Sequence, residues 1–158
     1  MEWLFVFVLA VLVWGFYRGY TGSSGARRWA SGVRQGSSIV EKIKGPGFYE
    51  IDVVGESHYQ RALERICGGR TEDGAQEQVE ASLLLEDDNP HDNMAVRIDI
   101  EGHTVGYLSR DVAREYRKWL IDMGMHKVTA KCDARIVGGW DRGGRDRGHF
   151  GVQLDLPL

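Results

Sequence analysis

Residues 86–111 constrain the fold of this chain more than any other stretch, because a polar turn is followed at once by two strand patterns. Pro90 restricts its own φ and disfavours a helical conformation at Asn89. The side chains of Asn89 and Asp92 can hydrogen-bond nearby backbone amides and so stabilise the turn. Apolar residues then alternate on both sides of an EG pair at residues 101–102, which is a tight hairpin signal. The sequence therefore predicts a rigid turn followed by a β-hairpin.

Apolar periodicity predicts the other elements of the domain. Ser109 is suited to cap a helix over residues 109–123, and Gly124 is suited to end it. The apolar residues expected on one face of this helix are Val112, Tyr116, Trp119, Leu120 and Met123. The other predicted elements are strands at residues 48–54, 79–85, 128–136 and 150–156, a helix at residues 59–67 and a polar loop at residues 70–78. Together with the hairpin, this order indicates an α+β domain with a β-barrel of about six strands and two helices.

Three short motifs occur in a characteristic order along the domain. A VG pair at residues 54–55 ends a predicted strand, NPHD at residues 89–92 forms the turn, and VGYL at residues 105–108 leads into the helix. In this order the motifs resemble those of the HIRAN domain family, and the resemblance covers roughly residues 47–158. One departure is Met94, which stands where the family pattern usually has Asn. The resemblance implies a small OB-like barrel with helices packed on it and a role in binding nucleic acid.

The resemblance also implies a binding site for the 3′ end of single-stranded DNA, as in family members attached to DNA-remodelling helicases. The residues carried over by position are Ser57, His58, Tyr59, Asn89, His91, Asp92 and Arg110. In this set Asp92 suits the terminal hydroxyl and Arg110 suits a phosphate. DNA-end binders of the family carry an Arg and two Tyr where this chain has Ser57, His58 and His91. One phosphate contact is thereby lost, and each lost stacking ring costs about 1–3 kcal/mol per base.

Charge is distributed unevenly along the chain. Residues 18–44 contain six basic residues and one acidic residue, whereas residues 45–158 contain 14 basic and 21 acidic residues. A domain with this excess of acidic residues lacks the broad basic face that drives non-specific binding of duplex DNA. Any contact with nucleic acid must therefore be local, and a pocket for one strand end satisfies that condition.

Residues 3–17 form an apolar run without charge, bounded by Glu2 and Arg18. As a helix this run rises about 22 Å, which is short of the ~30 Å hydrocarbon core, but aromatic residues at its ends suit the membrane interfaces. Since the positive charges follow the run, the positive-inside rule places the domain in the cytoplasm. The predicted organisation is a single-pass transmembrane anchor at residues 1–18 that contacts the lipid bilayer through residues 3–17, a flexible basic linker at residues 19–46 and the HIRAN-like domain at residues 47–158.

Two points in the N-terminal region stay open on the sequence alone. A cleaved signal peptide is the main alternative to the anchor, because small residues at 23–26 offer a cleavage site. Against it, the residues before the apolar run include Glu2 and no Lys or Arg. Residues 39–43 belong either to the linker or to a short element that packs on the domain.

The function predicted from these patterns is a membrane-anchored binding module without enzymatic activity, cofactor or metal. Four histidines and Asp92 match no metal-binding spacing, and the sequence has no nucleophile and base pair or Gly-rich phosphate loop. A metal-dependent hydrolase is therefore the least favoured class. The main alternative is a protein–protein interaction module at the membrane, with a partner that the sequence does not identify. Turn chemistry alone would also explain Asn89 and Asp92.

Overall fold

The computed structural model describes residues 40–125 and 128–158, which form seven strands, two α-helices and a single turn of 3-10 helix. The strands are β1 (Val40–Lys42), β2 (Ile51–Asp52), β3 (Ala75–Glu86), β4 (Ala95–Ile100), β5 (His103–Tyr107), β6 (Thr129–Gly138) and β7 (Phe150–Leu154). The helices are α1 (Gln60–Ile66) and α2 (Arg110–Asp122), and the 3-10 turn is Glu56–His58. The predicted order of elements from β2 to β7 is confirmed.

Six strands form one curled antiparallel sheet in the order β2-β7-β6-β3-β4-β5. The two ends of this sheet meet just after β2, where the backbones of Val54 and Tyr107 exchange hydrogen bonds of 2.8 and 2.9 Å. On the other side of the same segment, the Val53 amide donates to the Val152 carbonyl at 2.9 Å. The segment after β2 thus joins β7 to β5, which agrees with the predicted OB-like barrel.

Strand β1 shows the role of residues 40–43, part of a stretch whose role the sequence left open. It pairs in parallel with the start of β6, so that Val40 lies opposite Thr129 and Lys42 lies opposite Lys131. The next residue, Ile43, is buried in the barrel core. The folded domain therefore begins before residue 47, within the stretch that was predicted to be linker.

The β4–β5 hairpin forms as predicted and contains a bulge. Glu101 and Gly102 adopt left-handed φ angles of 51° and 76°, the conformation that two-residue hairpin turns of type I′ require. Farther from this turn, the pairing of β4 with β5 shifts by one residue between Ile98 and Asp99. The bulge on β5 lies at Val105, immediately before Gly106. Both of these residues are buried, and the bulge directs β5 towards the closing contact with Val54.

Two predicted strand boundaries are wrong. Residues 48–54 do not form one strand, because Gly47 and Tyr49 have left-handed φ angles of 90° and 55° that turn the chain before β2. Strand β3 begins at Ala75, inside the predicted polar loop. Its first residues pair with β6 but not with β4, and they are mostly exposed. No apolar alternation is needed at such a position, so the sequence carries no strand signal there.

Helix α2 confirms the predicted cap but not the whole predicted apolar face. The Ser109 Oγ accepts a hydrogen bond from the Val112 amide at 3.4 Å. Tyr116 and Leu120 are buried as expected, whereas Met123 is 61 % exposed because the helix ends at the residue before it. The remaining buried positions of α2 are Ala113 and Arg117.

The predictions for the N-terminal region fall largely outside the described residues. They include the membrane anchor at residues 1–18, the bilayer contact through residues 3–17 and the linker up to residue 39. Neither α1 nor α2 has both the length and the apolar character that a membrane-spanning helix requires.

Tyr116 provides a test of the packing of α2 against the barrel. Its side chain is fully buried, and within the described part of the chain its hydroxyl has no hydrogen-bond partner. Burial also raises the pKa of this hydroxyl. We expect Tyr116→Phe to keep the free energy of unfolding unchanged or to raise it by up to about 1 kcal/mol, because an unpaired buried polar group is removed. Urea denaturation measures this change.

A second substitution at the same position shows that the denaturation assay is sensitive. Tyr116→Ala leaves a cavity under the ring of Trp119, which lies 6.3 Å from the Tyr116 ring. We expect it to lower the free energy of unfolding by about 3–5 kcal/mol. A loss of more than about 1 kcal/mol in the Phe variant would instead show that the hydroxyl is satisfied, since that is the usual loss for one hydrogen bond.

Candidate functional site

A cleft of ≈ 330 Å³ lies where the polar turn after β3 meets the closing contact of the barrel and the start of α2. Its lining residues are Val54, Asn89, His91, Asp92, Ala95, Tyr107, Leu108, Arg110 and Ala113. Four of the residues predicted as binding residues are in this lining, namely Asn89, His91, Asp92 and Arg110. The cleft thus brings the second and third sequence motifs together with Val54 of the first.

Asn89 holds the turn by three hydrogen bonds. Its Oδ1 accepts from the amides of His91 and Asp92 at 2.9 and 3.3 Å. Its Nδ2 donates to a carboxylate oxygen of Glu86 at 2.7 Å. The side chain of Asn89 is therefore occupied with the turn, and the predicted stabilising role is confirmed. His91 is exposed at the rim of the cleft.

Asp92 uses its two carboxylate oxygens differently. Oδ1 accepts from the Met94 amide at 2.9 Å, which is a contact within the turn. Oδ2 lies 3.7 Å from Nε of Arg110 and 4.0 Å from Nη2 of Arg114. These two ion pairs are longer than a charge-assisted hydrogen bond. Oδ2 can therefore accept a further hydrogen bond from a ligand, although the carboxylate is only 17 % exposed.

Arg117 attaches the turn to α2. Its guanidinium donates from Nε to the Met94 carbonyl and from Nη2 to the Ala95 carbonyl, each at 2.9 Å. The third contact runs from Nη1 to Oδ1 of Asp87 at 2.7 Å. Only 9 % of Arg117 is exposed, so a buried cation fixes both sides of the turn. The apolar pattern of the helix does not predict a role for this residue, yet its position three residues before Leu120 on the buried face was an available signal.

The remaining predicted residues lie on or beside the 3-10 turn Glu56–His58. Ser57 and His58 are exposed and are not part of the cleft lining. Tyr59 is half-buried and lies near Tyr107, which does line the cleft. Burial, the carboxylate of Glu86 and the Tyr59 hydroxyl together raise the pKa of Tyr107 to about 12. Tyr107 therefore remains neutral at physiological pH, and its ring is available beside the cleft for stacking.

A larger groove of ≈ 560 Å³ lies between α1 and the loop before β7. Its two guanidinium groups are already paired, Arg70 with Glu64 at 3.2 Å and Arg147 with Asp141 at 2.8 Å. The 330 Å³ cleft differs because its ion pairs are long and Arg110 is 75 % exposed. Within residues 40–125 and 128–158, no group of three or more His, Cys, Asp or Glu is placed to hold a metal ion.

Comparison with protein families matches residues 46–138 to the HIRAN domain. The match covers more than half of the 158 residues and includes every element from β2 to β6. All residues that line the cleft lie inside it. No curated protein and no solved structure matches the chain.

Proposed function

The chain belongs to the HIRAN domain family, and from this premise we propose that it is a nucleic-acid-binding module, not an enzyme, that holds the 3′ end of single-stranded DNA. The observation that carries the proposal is the arrangement at Asp92. One carboxylate oxygen is held by the turn, while the other faces Arg110 at 3.7 Å. An acceptor next to an exposed guanidinium suits a terminal hydroxyl and its neighbouring phosphate.

The proposed mode of binding assigns one role to each part of the cleft. The 3′ hydroxyl donates to Oδ2 of Asp92, and Arg110 turns from Asp92 to the last phosphate of the strand. The terminal base lies against the Tyr107 ring or the imidazole of His91, since stacking on such rings is independent of sequence. Two further predicted residues, Ser57 and His58, lie outside the cleft and would meet only the nucleotides that precede the terminal one.

The overall charge of the domain favours recognition of a strand end and disfavours binding along the length of a long strand. The chain carries a formal net charge of −3 at pH 7, and its acidic excess lies in residues 45–158. A cation limited to the cleft attracts one or a few phosphates, whereas the acidic surface repels the rest of a long polyanion. The proposal therefore predicts modest affinity that depends strongly on the chemistry of the 3′ end.

Two substitutions separate recognition of the hydroxyl from recognition of the phosphate. We expect the parent chain to bind an oligonucleotide with a free 3′ hydroxyl at least about 10-fold more tightly than one with a 3′ phosphate, a difference of about 1.4 kcal/mol. Asp92→Asn removes the charge that repels a 3′ phosphate, so this preference should nearly disappear. Arg110→Ala should weaken binding of both oligonucleotides alike. Fluorescence anisotropy of the full-length parent chain and of both variants in detergent measures all six affinities.

Equal binding of both oligonucleotides by the parent chain would contradict the assignment of Asp92 to the hydroxyl. Asp92→Asn is preferred to Asp92→Ala, because the amide oxygen can still accept from the Met94 amide and keep the turn. Unchanged thermal unfolding of both variants is the control that the cleft has kept its shape.

The other functional hypotheses stay predictions. They are the single-pass membrane attachment through residues 3–17, the cytoplasmic placement of the domain and the alternative role as a protein–protein interaction module. If the parent chain binds neither oligonucleotide, the interaction module becomes the leading hypothesis.

A further inference from the structure

Arg114 lies one helical turn after Arg110 on the same exposed face of α2. Its Nη2 lies 4.0 Å from Oδ2 of Asp92, the same oxygen that faces Arg110. Its Nη1 donates to the carbonyl of Arg110 at 2.9 Å. Two guanidinium groups therefore lie within 4.0 Å of one carboxylate oxygen at the edge of the cleft.

The other cations of α2 are engaged differently. Arg117 is buried and donates to two carbonyls and Asp87. Lys118 forms a short pair with Asp122 at 2.6 Å. Among the described residues, the ion-pair partner of Arg114 is Asp92, at the long distance of 4.0 Å. The side chain of Arg114 is 51 % exposed. Besides Arg110, Arg114 is thus the cation of α2 that lies beside Asp92 at the cleft and is held by a long ion pair only.

We propose that Arg114 is a second phosphate-binding residue, so that the cleft holds the terminal hydroxyl and two successive phosphates. This inference rests on the proposed function and extends it. Asp92 accepts from the hydroxyl, Arg110 contacts the last phosphate, and Arg114 contacts the phosphate before it. Residues four apart on a helix have Cβ atoms about 5–6 Å apart, a separation that the two flexible side chains can match to neighbouring phosphates of an extended strand.

The assignment distinguishes the contribution of Arg114 from that of Asp92. Arg114 should add affinity and salt dependence for any strand long enough to supply a second phosphate. It should not affect the choice between a 3′ hydroxyl and a 3′ phosphate, because that choice is made at Asp92. The minimal ligand that uses all three side chains is a trinucleotide with two internal phosphates, whereas a dinucleotide has only one.

The test compares the parent chain with Arg114→Ala on these two ligands. For the trinucleotide with free ends, we expect Arg114→Ala to lower affinity about 5-fold and to reduce the slope of log K against log salt by about 0.7, the value for one phosphate contact on a single strand. For the dinucleotide, the parent chain and the variant should bind alike. Competition against a labelled single-stranded oligonucleotide on the full-length chain in detergent measures both ligands.

Two further variants exclude a purely structural effect. Arg114→Lys keeps the charge and should restore most of the salt slope, while Lys118→Ala removes an exposed cation one turn later and should change neither the slope nor the affinity. An unchanged slope for Arg114→Ala, or an equal loss on the dinucleotide, would overturn the second phosphate contact while leaving the proposed function intact. Failure of the parent chain to bind any of these ligands would overturn both.

Discussion

Gly106→Ala is expected to lower the free energy of unfolding by about 3 kcal/mol. A Cβ atom at this position would overlap the side chain of Val53 and lie 2.6 Å from the carbonyl oxygen of Val54. The backbone of the first motif must then move away from β5. That movement breaks the two hydrogen bonds between Val54 and Tyr107 that join the ends of the sheet.

Gly151→Ala is the matched control, because Gly151 is also a strand glycine of the same barrel. A Cβ atom there would meet only Val137 at 3.7 Å and Glu56 at 3.8 Å, which are ordinary contacts. We expect this variant to be as stable as the parent chain or slightly more stable, since alanine loses less backbone entropy than glycine on folding. Urea denaturation compares the two variants, and equal stabilities would show that the approach of β5 to Val54 does not require glycine.

The closure has a functional consequence as well, because Val54 and Tyr107 both line the cleft. If Gly106→Ala still folds, its binding of a free 3′ end should be weaker than that of Gly151→Ala. Gly106 is part of the VGYL motif, and its place in the motif thus has a physical reason. The glycine lets one end of the sheet reach the other and so completes the wall of the cleft.

Arg117→Ala is the second substitution with a large expected effect, about 3 kcal/mol in the free energy of unfolding. The side chain donates to the carbonyls of Met94 and Ala95 and to the carboxylate of Asp87. Truncation leaves these acceptors without their buried donor and disconnects the polar turn from α2. Urea denaturation measures the stability, and hydrogen exchange at the Ala95 amide, which donates to the Asp92 carbonyl at 2.9 Å, reports on the turn itself.

Two controls define what the guanidinium contributes. Arg117→Lys keeps the positive charge but cannot donate to three separate acceptors with the same geometry, so it should recover less than half of the lost stability. Lys118→Ala removes the neighbouring, exposed cation and should leave the stability unchanged. If Arg117→Ala unfolds at the same urea concentration as the parent chain, the turn is held by Asn89 and Asp92 alone.

Local patterns in the sequence were sufficient to predict the elements that depend on contacts between neighbouring residues. The Ser109 cap, the left-handed turn at residues 101–102 and the Asn89 and Asp92 contacts each depend on residues within three positions. For the same reason the order of strands and helices from β2 to β7 was predicted correctly. The motifs also located four residues of the cleft, because those residues lie on the turn and at the start of α2.

Long-range contacts decided what the sequence pattern missed. Strand β3 extends to Ala75 because β6 is there to pair with it, and Met123 is exposed because α2 ends before that residue reaches the barrel. Arg117 is buried because carbonyls of a turn more than 20 residues earlier in the chain lie beside it. Apolar periodicity does not predict such partners, because it indicates which face of an element is apolar but not which backbone groups pack against that face.

By itself, then, the sequence determined the family, the order of the elements and the chemistry of the polar turn, because each follows from neighbouring residues or a short motif. The tertiary structure alone decided which of those residues share a cleft. It separates Ser57 and His58 from the cleft and adds Tyr107 to its wall, with Arg114 at its edge. The physical reason is that the cleft forms only when the sheet closes at Val54, a contact between residues 53 positions apart in sequence.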